Sequence, residues 1–321
     1  MIRILYLVIP CYNEQEVLHE TSKRLLEKIT AMIKNNVISE KSKIIFVNDG
    51  SKDKTWEIIK ELNETNHIFG GINLSRNRGH QNALLAGLMT VKEYADIVIS
   101  LDADLQDDVD VIDKFVEQYY DGSDIVYGVR CDRETDTFFK RSTALAFYKF
   151  MSMLGVDMVY NHADYRLMNK RVLEGLSQFR EFNLFLRGMV PLIGYQYSIV
   201  EYERHERFAG ESKYPLKKMI AFALDGVTSL SIKPIRIITG IGFTIFFVSV
   251  LALIYSLIVN FVGNTITGWT SLTISIWMLG GIQLLCLGVI GEYIGKIYNE
   301  TKERPRFIIA DKLIRNDKKD I

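Results

Sequence analysis

Over the first 130 residues, short apolar runs alternate with longer amphipathic stretches. The apolar runs, rich in Ile and Val, predict strands at Ile4–Ile9, Lys43–Val47, Phe69–Leu74, Ile97–Leu101 and Ile125–Tyr127. The amphipathic stretches predict helices at Glu16–Lys34, Thr55–Asn66, Gln81–Lys92 and Val109–Tyr120. Strands that alternate with helices are typical of a mainly parallel sheet with helices on both faces. The sequence therefore predicts an α/β fold.

Residues 131–213 have a less regular pattern. Phe138–Leu154 is predicted to be a helix and Tyr195–Tyr202 a strand, with an apolar segment at Phe182–Ile193 between them. We treat this region as an extension of the same domain, which then covers residues 1–213.

The apolar excess of the chain lies after residue 234, and no charged residue occurs from Ile237 to Ile290. A membrane-spanning helix needs about 20 apolar residues, and Asn260–Gly268 forms a natural break. The pattern predicts two transmembrane helices, at about 237–260 and 269–290, in a hairpin that covers 235–295. Two buried helices of a large soluble core are the alternative, which the length of the uncharged stretch disfavours.

The residues around this hairpin predict its orientation. Residues 214–234 have apolar positions close to helical spacing, with Lys217 and Lys218 nearby, and predict an amphipathic helix in the membrane interface; a core-facing helix is the alternative. Lys233 and Arg236 precede the first span. The tail that follows the second span covers 296–321 and begins with the cations Lys296, Lys302, Arg304 and Arg306. The positive-inside rule then predicts a multi-pass protein of the cell membrane with its catalytic domain and both termini in the cytoplasm.

Composition narrows the classes of partner. Lys plus Arg and Asp plus Glu both number 39, so the formal net charge is zero and nothing favours nucleic-acid binding. The three cysteines are scattered and predict reduced thiols rather than a disulfide framework. The N-terminal apolar run is shorter than a signal peptide's and predicts a buried first strand. Glycines in the second span predict close helix packing, within the hairpin or in a homo-oligomer.

The clearest chemical signal is a pair of carboxylates, Asp102 and Asp104, directly after a predicted strand. Ligands of α/β sheets bind beyond the carboxyl ends of the strands. Hard oxygen ligands of this kind suit Mg²⁺ or Mn²⁺, and such a cation can neutralise a departing diphosphate. A polar turn with helix-capping aspartates is the alternative, so the assignment depends on neighbouring motifs.

Three further motifs lie at the ends of the first three strands: Pro10–Glu14, Val47–Asp53 and Leu74–Gln81. Within them, Asp49 is suited to accept hydrogen bonds from a base or ribose, and Arg76 can pair with phosphate. His80 opens a predicted helix, where a structural role and a ligand contact are both open.

The order of these motifs, ending in Asp102-Ala103-Asp104-Leu105-Gln106, resembles the family 2 glycosyltransferases of the GT-A fold. Within that family the chain is most similar to the polyprenyl-phosphate glycosyltransferases. The resemblance covers residues 1–213. One position departs from it, because Asn48 stands where many members of the family have an acidic residue.

The resemblance implies a role for each matching residue. The nucleotide sugar would be held by Pro10, Tyr12, Glu14, Asp49, Arg76, Asp102 and Ala103. The metal would be held by Asp104 and Gln106, and the acceptor phosphate by Arg130, Arg207, Ser212 and Lys213. Asp164 and Asp102 would be catalytic, with Asp164 as the general base. A phosphate monoester is already largely dianionic at neutral pH, so Asp164 can alternatively orient Arg166 or the acceptor.

The sequence therefore predicts an inverting, metal-dependent transfer of one sugar from a nucleotide sugar, with UDP mildly preferred, to a membrane polyprenyl phosphate such as undecaprenyl phosphate. The nearest alternative is the same chemistry on another lipid or on a polysaccharide. A non-catalytic membrane scaffold is the alternative from another class of protein. The presence of all four acidic motif residues disfavours it: Asp49, Asp102, Asp104 and Asp164.

Overall fold

The computed structural model describes residues 2–130, 162–203, 231, 233–261 and 269–314. The predicted helix at Phe138–Leu154 and almost all of the interfacial segment 214–234 lie outside these residues. So do three of the residues assigned to the acceptor phosphate: Arg207, Ser212 and Lys213.

Eight described strands form one mixed, mainly parallel sheet. They are β1 (Leu5–Cys11), β2 (Lys43–Asn48), β3 (Phe69–Leu74), β4 (Ile97–Ser100), β5 (Ile125–Arg130), β6 (His162–Asn169), β7 (Tyr197–Tyr202) and β8 (Ile309–Leu313). Their order across the sheet is β7-β5-β6-β4-β1-β2-β3-β8. Strands β4, β1, β2 and β3 are parallel, and β5 is parallel to β7. Strand β6 runs antiparallel between β4 and β5, and β8 runs antiparallel to β3.

The helices of the described residues are α1 (Leu18–Lys34), α2 (Thr55–Thr65), α3 (His80–Val91), α4 (Ile112–Tyr120), α5 (Lys170–Leu176), α6 (Leu186–Leu192), α7 (Lys233–Phe261) and α8 (Trp269–Thr301). A short 3₁₀ turn at Val109–Val111 leads into α4. The predicted β/α order of the first 130 residues is confirmed, and no element end is shifted by more than three residues.

Alternate residues of the central strands pack into two separate apolar layers, one on each face of the sheet. In β1, Leu5, Leu7 and Ile9 pack with α1, α2 and α4, whereas Tyr6 and Val8 pack with α3, α5 and α6. Every residue of β1 is buried, as expected for a parallel strand that is covered on both faces. The predicted α/β architecture with helices on both faces is confirmed.

Two strands were not predicted from the sequence, β6 and β8. Strand β6 carries Asp164 and Arg166 on a run with no continuous apolar stretch. Strand β8 lies within residues 296–321, which the sequence analysis assigned to a tail. Instead, α8 continues to Thr301 and the chain then returns to pair with β3 at the edge of the sheet.

Helices α7 and α8 cover the two predicted spans. Many of their described apolar side chains are exposed, including Phe243, Leu251 and Leu284. Within the described residues, one stretch has the length and hydropathy expected of a membrane-spanning helix, Leu279–Thr301 of α8. By its length and composition alone, this stretch is a candidate membrane span.

Candidate active site

The loops that follow β2 and β3 pack closely against each other at the carboxyl edge of the sheet. Gly50 has a φ of +61°, and a Cβ atom there would lie 2.5 Å from the backbone carbon of Arg76 and from the nitrogen of Asn77. Both the positive φ and the close approach require glycine at this position. The two loops therefore form one rigid wall.

Asp49 holds the same two loops together through hydrogen bonds. Its side chain is buried, and its two oxygens accept hydrogen bonds from the backbone N–H groups of Arg78 (2.7 Å) and Gly79 (2.9 Å). Burial raises the pKa of Asp49, and these hydrogen bonds oppose the rise. In this structure Asp49 thus orders the loop that presents Arg76, which is exposed, and His80.

Asn48 is the residue that departs from the family pattern, and its side-chain amide makes two hydrogen bonds in the structure. Its Nδ2 donates a hydrogen bond to Oδ1 of Asn73 at 2.8 Å, and its Oδ1 accepts one from the backbone of Ser51 at 3.2 Å. An ionised aspartate accepts hydrogen bonds only, so it could not make the contact with Asn73 Oδ1. The amide therefore ties β2 to β3 without adding a charge.

The loop after β1 lies against the loop after β2. Asn13 adopts a φ of +54°, and its backbone N–H donates to Ser51 Oγ at 3.0 Å. The backbone N–H of Glu14 donates to Thr55 Oγ1 at 2.9 Å. These bonds place the partly exposed Tyr12 and Glu14 at the site, while Pro10 is buried in β1.

The acidic loop, which we define as Asp102–Gln106, turns sharply after β4. Leu105 adopts a φ of +58°, an uncommon backbone conformation for a branched residue, of the kind that clusters at functional sites. Asp104 Oδ1 accepts a hydrogen bond from the backbone of Gln106 at 3.2 Å. The carbonyl oxygen of buried Ala103 accepts a hydrogen bond from Thr21 Oγ1 at 2.7 Å, which ties the loop to α1.

The donor set of this loop fits a hard divalent cation. Asp104 and Gln106 offer a carboxylate and an amide oxygen, both partly exposed, and Mg²⁺ sites in proteins commonly combine one or two carboxylates with substrate phosphates and water. No group of three or more His, Cys, Asp or Glu side chains suited to a metal occurs among the described residues.

The register of β6 brings Asp164 beside Asp102. Ser100, the last residue of β4, pairs with Arg166 in the antiparallel ladder. Two residues beyond Ser100 is Asp102, and two residues before Arg166 is Asp164. The hydroxyl of Ser100 also donates a hydrogen bond to the carbonyl oxygen of Asp164. Two carboxylates that are far apart in sequence therefore meet at the end of β4.

Three cationic side chains surround Asp164, which is buried. Arg166 Nη2 donates to its Oδ1, while Arg187 donates from Nη2 to Oδ2 at 3.1 Å and from Nε to Oδ1 at 3.3 Å. His80 Nε2 lies 3.6 Å from Asp164 Oδ2 and 3.6 Å from Asp102 Oδ1. We call His80, Asp102, Asp164, Arg166 and Arg187 the central cluster. In this cluster, three cationic side chains lie next to two carboxylates.

The charges of the central cluster shift its pKa values in different directions. Burial alone would raise the pKa of Asp164, but Arg187, His80 and Arg166 hold it well below its usual range. Burial alone would lower the pKa of His80, but Asp164 and Asp102 raise it to about 9. Burial, together with the neighbouring acids, raises the pKa of Asp102 to about 6, against the opposing effect of His80. At neutral pH, His80 is therefore a cation and Asp164 an anion.

A second polar cluster joins the ends of β5 and β7. Arg130 Nη2 donates to Asp107 Oδ1 at 3.2 Å, and Arg130 Nε donates to the hydroxyl of Tyr202 at 3.2 Å. That hydroxyl donates to Asp107 Oδ1 at 2.6 Å. Arg130 is thus bonded to Asp107, the residue that directly follows the acidic loop. Arg130 and Tyr202 are the last residues of β5 and β7, beyond which the chain continues into 131–161 and 204–230.

The structure brings most of the predicted site residues to one edge of the sheet: Pro10, Tyr12, Glu14, Asp49, Arg76, Asp102, Ala103, Asp104, Gln106, Arg130 and Asp164. Three members of the central cluster were not assigned to the site from the sequence. His80 was left open between two roles, and Arg166 was named only as a group that Asp164 can orient. Arg187 gave no signal beyond one charge within an apolar segment.

Two family models match the chain. The model described as "Glycosyl transferase family 2" matches residues 6–177, and the model described as "GtrB C-terminal hairpin" matches residues 233–297. The chain thus combines a GT-A-like α/β domain with a C-terminal helical hairpin. It belongs to glycosyltransferase family 2, as the order of its motifs predicted.

Similar proteins cover nearly the whole chain. An uncharacterized glycosyltransferase, YkoT of Bacillus subtilis, is 55% identical over 95% of this chain and 91% of its own length. A bactoprenol glucosyl transferase of Shigella phage SfX is 39% identical over 95% of this chain and 98% of its own length. Among solved structures, mannosyltransferase PcManGT of Pyrobaculum calidifontis, in complex with GDP-Man and Mn²⁺, is 14% identical. The structural similarity covers 95% of this chain and 89% of the PcManGT chain, with a TM-score of 0.46.

Proposed function

We propose that this chain transfers one sugar from a nucleotide sugar, with a UDP-sugar favoured, to the phosphate of a membrane polyprenyl lipid such as undecaprenyl phosphate. The observation that carries the proposal is the position of His80, whose Nε2 lies 3.6 Å from Asp102 of the acidic loop and 3.6 Å from Asp164. A carboxylate loop suits the cation of a nucleotide diphosphate, and adjacent cationic side chains suit a second phosphate. The bactoprenol acceptor in the name of the phage relative supports the lipid.

On the donor side, we assign the nucleotide to the wall formed by the loops after β2 and β3, together with the loop after β1, which lies against it. Among the residues of these loops that we assign to the nucleotide, Tyr12, Glu14 and Arg76 are partly or fully exposed. Pro10 and Asp49 are buried, so we propose that they act by shaping the wall. Asp102, with the backbone of Ala103, would contact the ribose or the sugar.

We propose that Asp104 and Gln106 hold a divalent cation, Mg²⁺ or Mn²⁺. When bound, such a cation would neutralise the charge of the departing nucleotide diphosphate. Leu105, with its left-handed backbone, lies between these two residues, and a turn that is already formed reduces the reorganisation needed when the cation binds.

The chemistry that remains is a single displacement. A phosphate oxygen of the acceptor forms a bond to C1 of the sugar while the bond from C1 to the diphosphate oxygen breaks, which inverts C1. The second pKa of a phosphate monoester is about 6, so the nucleophile is already largely deprotonated at neutral pH. We therefore propose that Asp164 orients Arg187 towards the acceptor rather than removing a proton. Arg130, and Arg207, Ser212 and Lys213 outside the described residues, would complete the acceptor site.

We further propose that residues 235–295 form a two-span membrane hairpin and that 214–234 lies in the interface, with the catalytic domain 1–213 and both termini in the cytoplasm. Strand β8 supports an even number of crossings. It follows α8 in sequence, yet it pairs with β3 of the catalytic sheet. This pairing supports a chain that returns to the side it left. Placing the site at the membrane surface would raise the effective concentration of the lipid phosphate.

A donor and acceptor screen on the purified full-length chain tests the proposal. UDP-glucose, UDP-GlcNAc, UDP-GalNAc and GDP-mannose, each radiolabelled, are incubated with undecaprenyl phosphate or with diacylglycerol, with and without EDTA. The expected product is organic-extractable and labile to mild acid, forms with one UDP-sugar and undecaprenyl phosphate, and is lost with EDTA. Transfer to diacylglycerol alone would favour the alternative acceptor, and no lipid product with any donor would contradict the proposal. Asp102→Asn is the inactive control.

A further inference from the structure

The end of α8 is hydrogen-bonded to the loop that enters the active site. We define the anchor loop as residues 179–186, which follow α5 and end at Leu186, the first residue of α6. Glu300, in the last turn of α8, accepts hydrogen bonds at Oε2 from the backbone of Phe182 (2.7 Å) and at Oε1 from the backbone and the side-chain amide of Asn183 (both 3.0 Å). One carboxylate thereby binds three N–H groups of a loop that is distant in sequence.

A second bond holds the start of the same loop. Arg306, just beyond α8, donates a hydrogen bond from Nη2 to the carbonyl oxygen of Phe179 at 2.7 Å. The anchor loop is therefore fixed at two points by the segment that links the apolar helix to β8.

The other end of the anchor loop is bonded to the active site. The backbone N–H of Leu186 donates to Gln81 Oε1 at 3.0 Å, and Gln81 directly follows His80. The carbonyl oxygen of Leu186 accepts a hydrogen bond from Arg166 Nη1 at 3.3 Å. The next residue is Arg187, which binds both oxygens of Asp164. Only three residues separate Asn183 from Arg187.

The short helix that carries Arg187 depends on this anchorage. Helix α6 has seven residues, and a helix of that length is not stable without tertiary contacts. Without the Glu300 carboxylate, three donors of the anchor loop would lose their acceptor and the loop could shift. Arg187 would shift with it, and a displacement of about 1 Å near reacting groups can lower a rate by about 100-fold.

We propose that Glu300 is a positioning residue for sugar transfer. It acts through the anchor loop on Arg187 and Asp164, so the central cluster is correctly assembled only while the end of the apolar helix α8 is docked on the catalytic domain. This inference rests on the function proposed above, because it assigns Glu300 to the same reaction.

Kinetics of the full-length chain, with polyprenyl phosphate and the donor found in the screen, test this role. Glu300→Gln keeps the size of the side chain but replaces one acceptor oxygen with a donor. We expect kcat to fall roughly 10-fold or more, with KM for the nucleotide sugar within about twofold of wild type. Glu303→Gln, at an exposed position three residues further on, is the matched control and should equal wild type. An unchanged kcat in Glu300→Gln overturns the proposal.

A double-mutant cycle separates positioning from general destabilisation. If Glu300 acts through Arg187, then Glu300→Gln should cost little more in a chain that already carries Arg187→Lys, because both changes disturb the same contact with Asp164. The full kcat loss of Glu300→Gln repeated in the Arg187→Lys background would overturn the proposal, since the two residues would then act independently.

Amide hydrogen exchange provides a readout that does not need activity. Glu300→Gln should speed exchange across 182–187 relative to wild type and to Glu303→Gln, because the bonds of Phe182 and Asn183 are weakened. Unchanged exchange in this segment contradicts the inference even if activity falls. Conversely, a wild-type chain that transfers no sugar contradicts the proposed function, while the exchange result still decides whether Glu300 holds the loop.

Discussion

Arg187 lies along both oxygens of Asp164, with Nη2 3.1 Å from Oδ2 and Nε 3.3 Å from Oδ1. Arg166 binds Oδ1 as well. Burial would raise the pKa of Asp164, yet these arginines and His80 hold the pKa well below its usual range. A carboxylate in this state binds a proton weakly, so its chemistry suits the orientation of Arg187 better than proton abstraction.

We therefore expect Asp164→Asn to lower activity without changing the shape of the pH–rate profile. The loss should be roughly 10-fold to 100-fold, because Arg187 loses the charge that orients it. Initial rates from about pH 5.5 to about pH 8.5 should give a curve parallel to that of wild type. If instead the acidic limb seen in wild type is absent from the variant, Asp164 is the general base after all.

Asp104→Asn should weaken the binding of the divalent cation. The amide keeps the shape of the side chain but removes the negative charge that a hard cation prefers. We expect a loss of about 100-fold in kcat at low Mn²⁺ or Mg²⁺, partly recovered as the cation is raised. The measurement is a titration of rate against free metal after EDTA treatment. Asp121→Asn, an exposed change at the end of α4, is the control, and an equal metal requirement in both variants would contradict the assignment.

The order of the first strands could be predicted because each buried parallel strand is a continuous apolar run, as in Leu5–Cys11. The polar residues that follow these runs could be placed together for the same reason, since the carboxyl ends of parallel strands share one edge. Strand β6 had no such pattern. Its Arg166 is fully buried, and a buried charge interrupts the apolar run by which such a strand is recognised.

The central cluster could not be predicted for a related reason, because it depends on register and on long-range contacts. Asp164 meets Asp102 only because Arg166 pairs with Ser100. Arg187 reaches Asp164 from the end of the anchor loop, which is hydrogen-bonded to Glu300 at the far end of the apolar hairpin. Neither relation leaves a local signal in the sequence.

His80 makes stability depend on pH in a defined direction. Its pKa rises from an ordinary value of about 6.5 in the unfolded chain to about 9 in the folded one. A group whose pKa is raised by folding stabilises the fold fully below its unfolded pKa, and that contribution is lost as the pH rises through the folded pKa. The wild-type chain should therefore lose stability between about pH 6.5 and about pH 9.

Thermal unfolding in detergent across that range, with EDTA and without nucleotide, measures this contribution. Other groups titrate in the same window, so the informative quantity is the difference between variants. His80→Gln should show a flatter decline in Tm than wild type, whereas His19→Gln, at an exposed position on α1, should follow wild type. Identical slopes for His80→Gln and wild type would show that His80 is not bound as a cation.

Gly50→Ala should destabilise the catalytic domain and weaken donor binding together. Alanine is strained at a φ of +61°, and its Cβ would lie 2.5 Å from the backbone of Arg76 and of Asn77, which cannot rotate away. We expect the free energy of unfolding to fall by about 3 to 5 kcal/mol. Gly122→Ala is the matched control, because its φ is +108° but nothing lies within 4 Å of the added Cβ. It should cost about 1 to 2 kcal/mol and leave donor binding unchanged. Chemical denaturation and nucleotide-sugar titration of both variants measure the two effects, and equal losses in the two variants would mean that the two loops do not need their close contact.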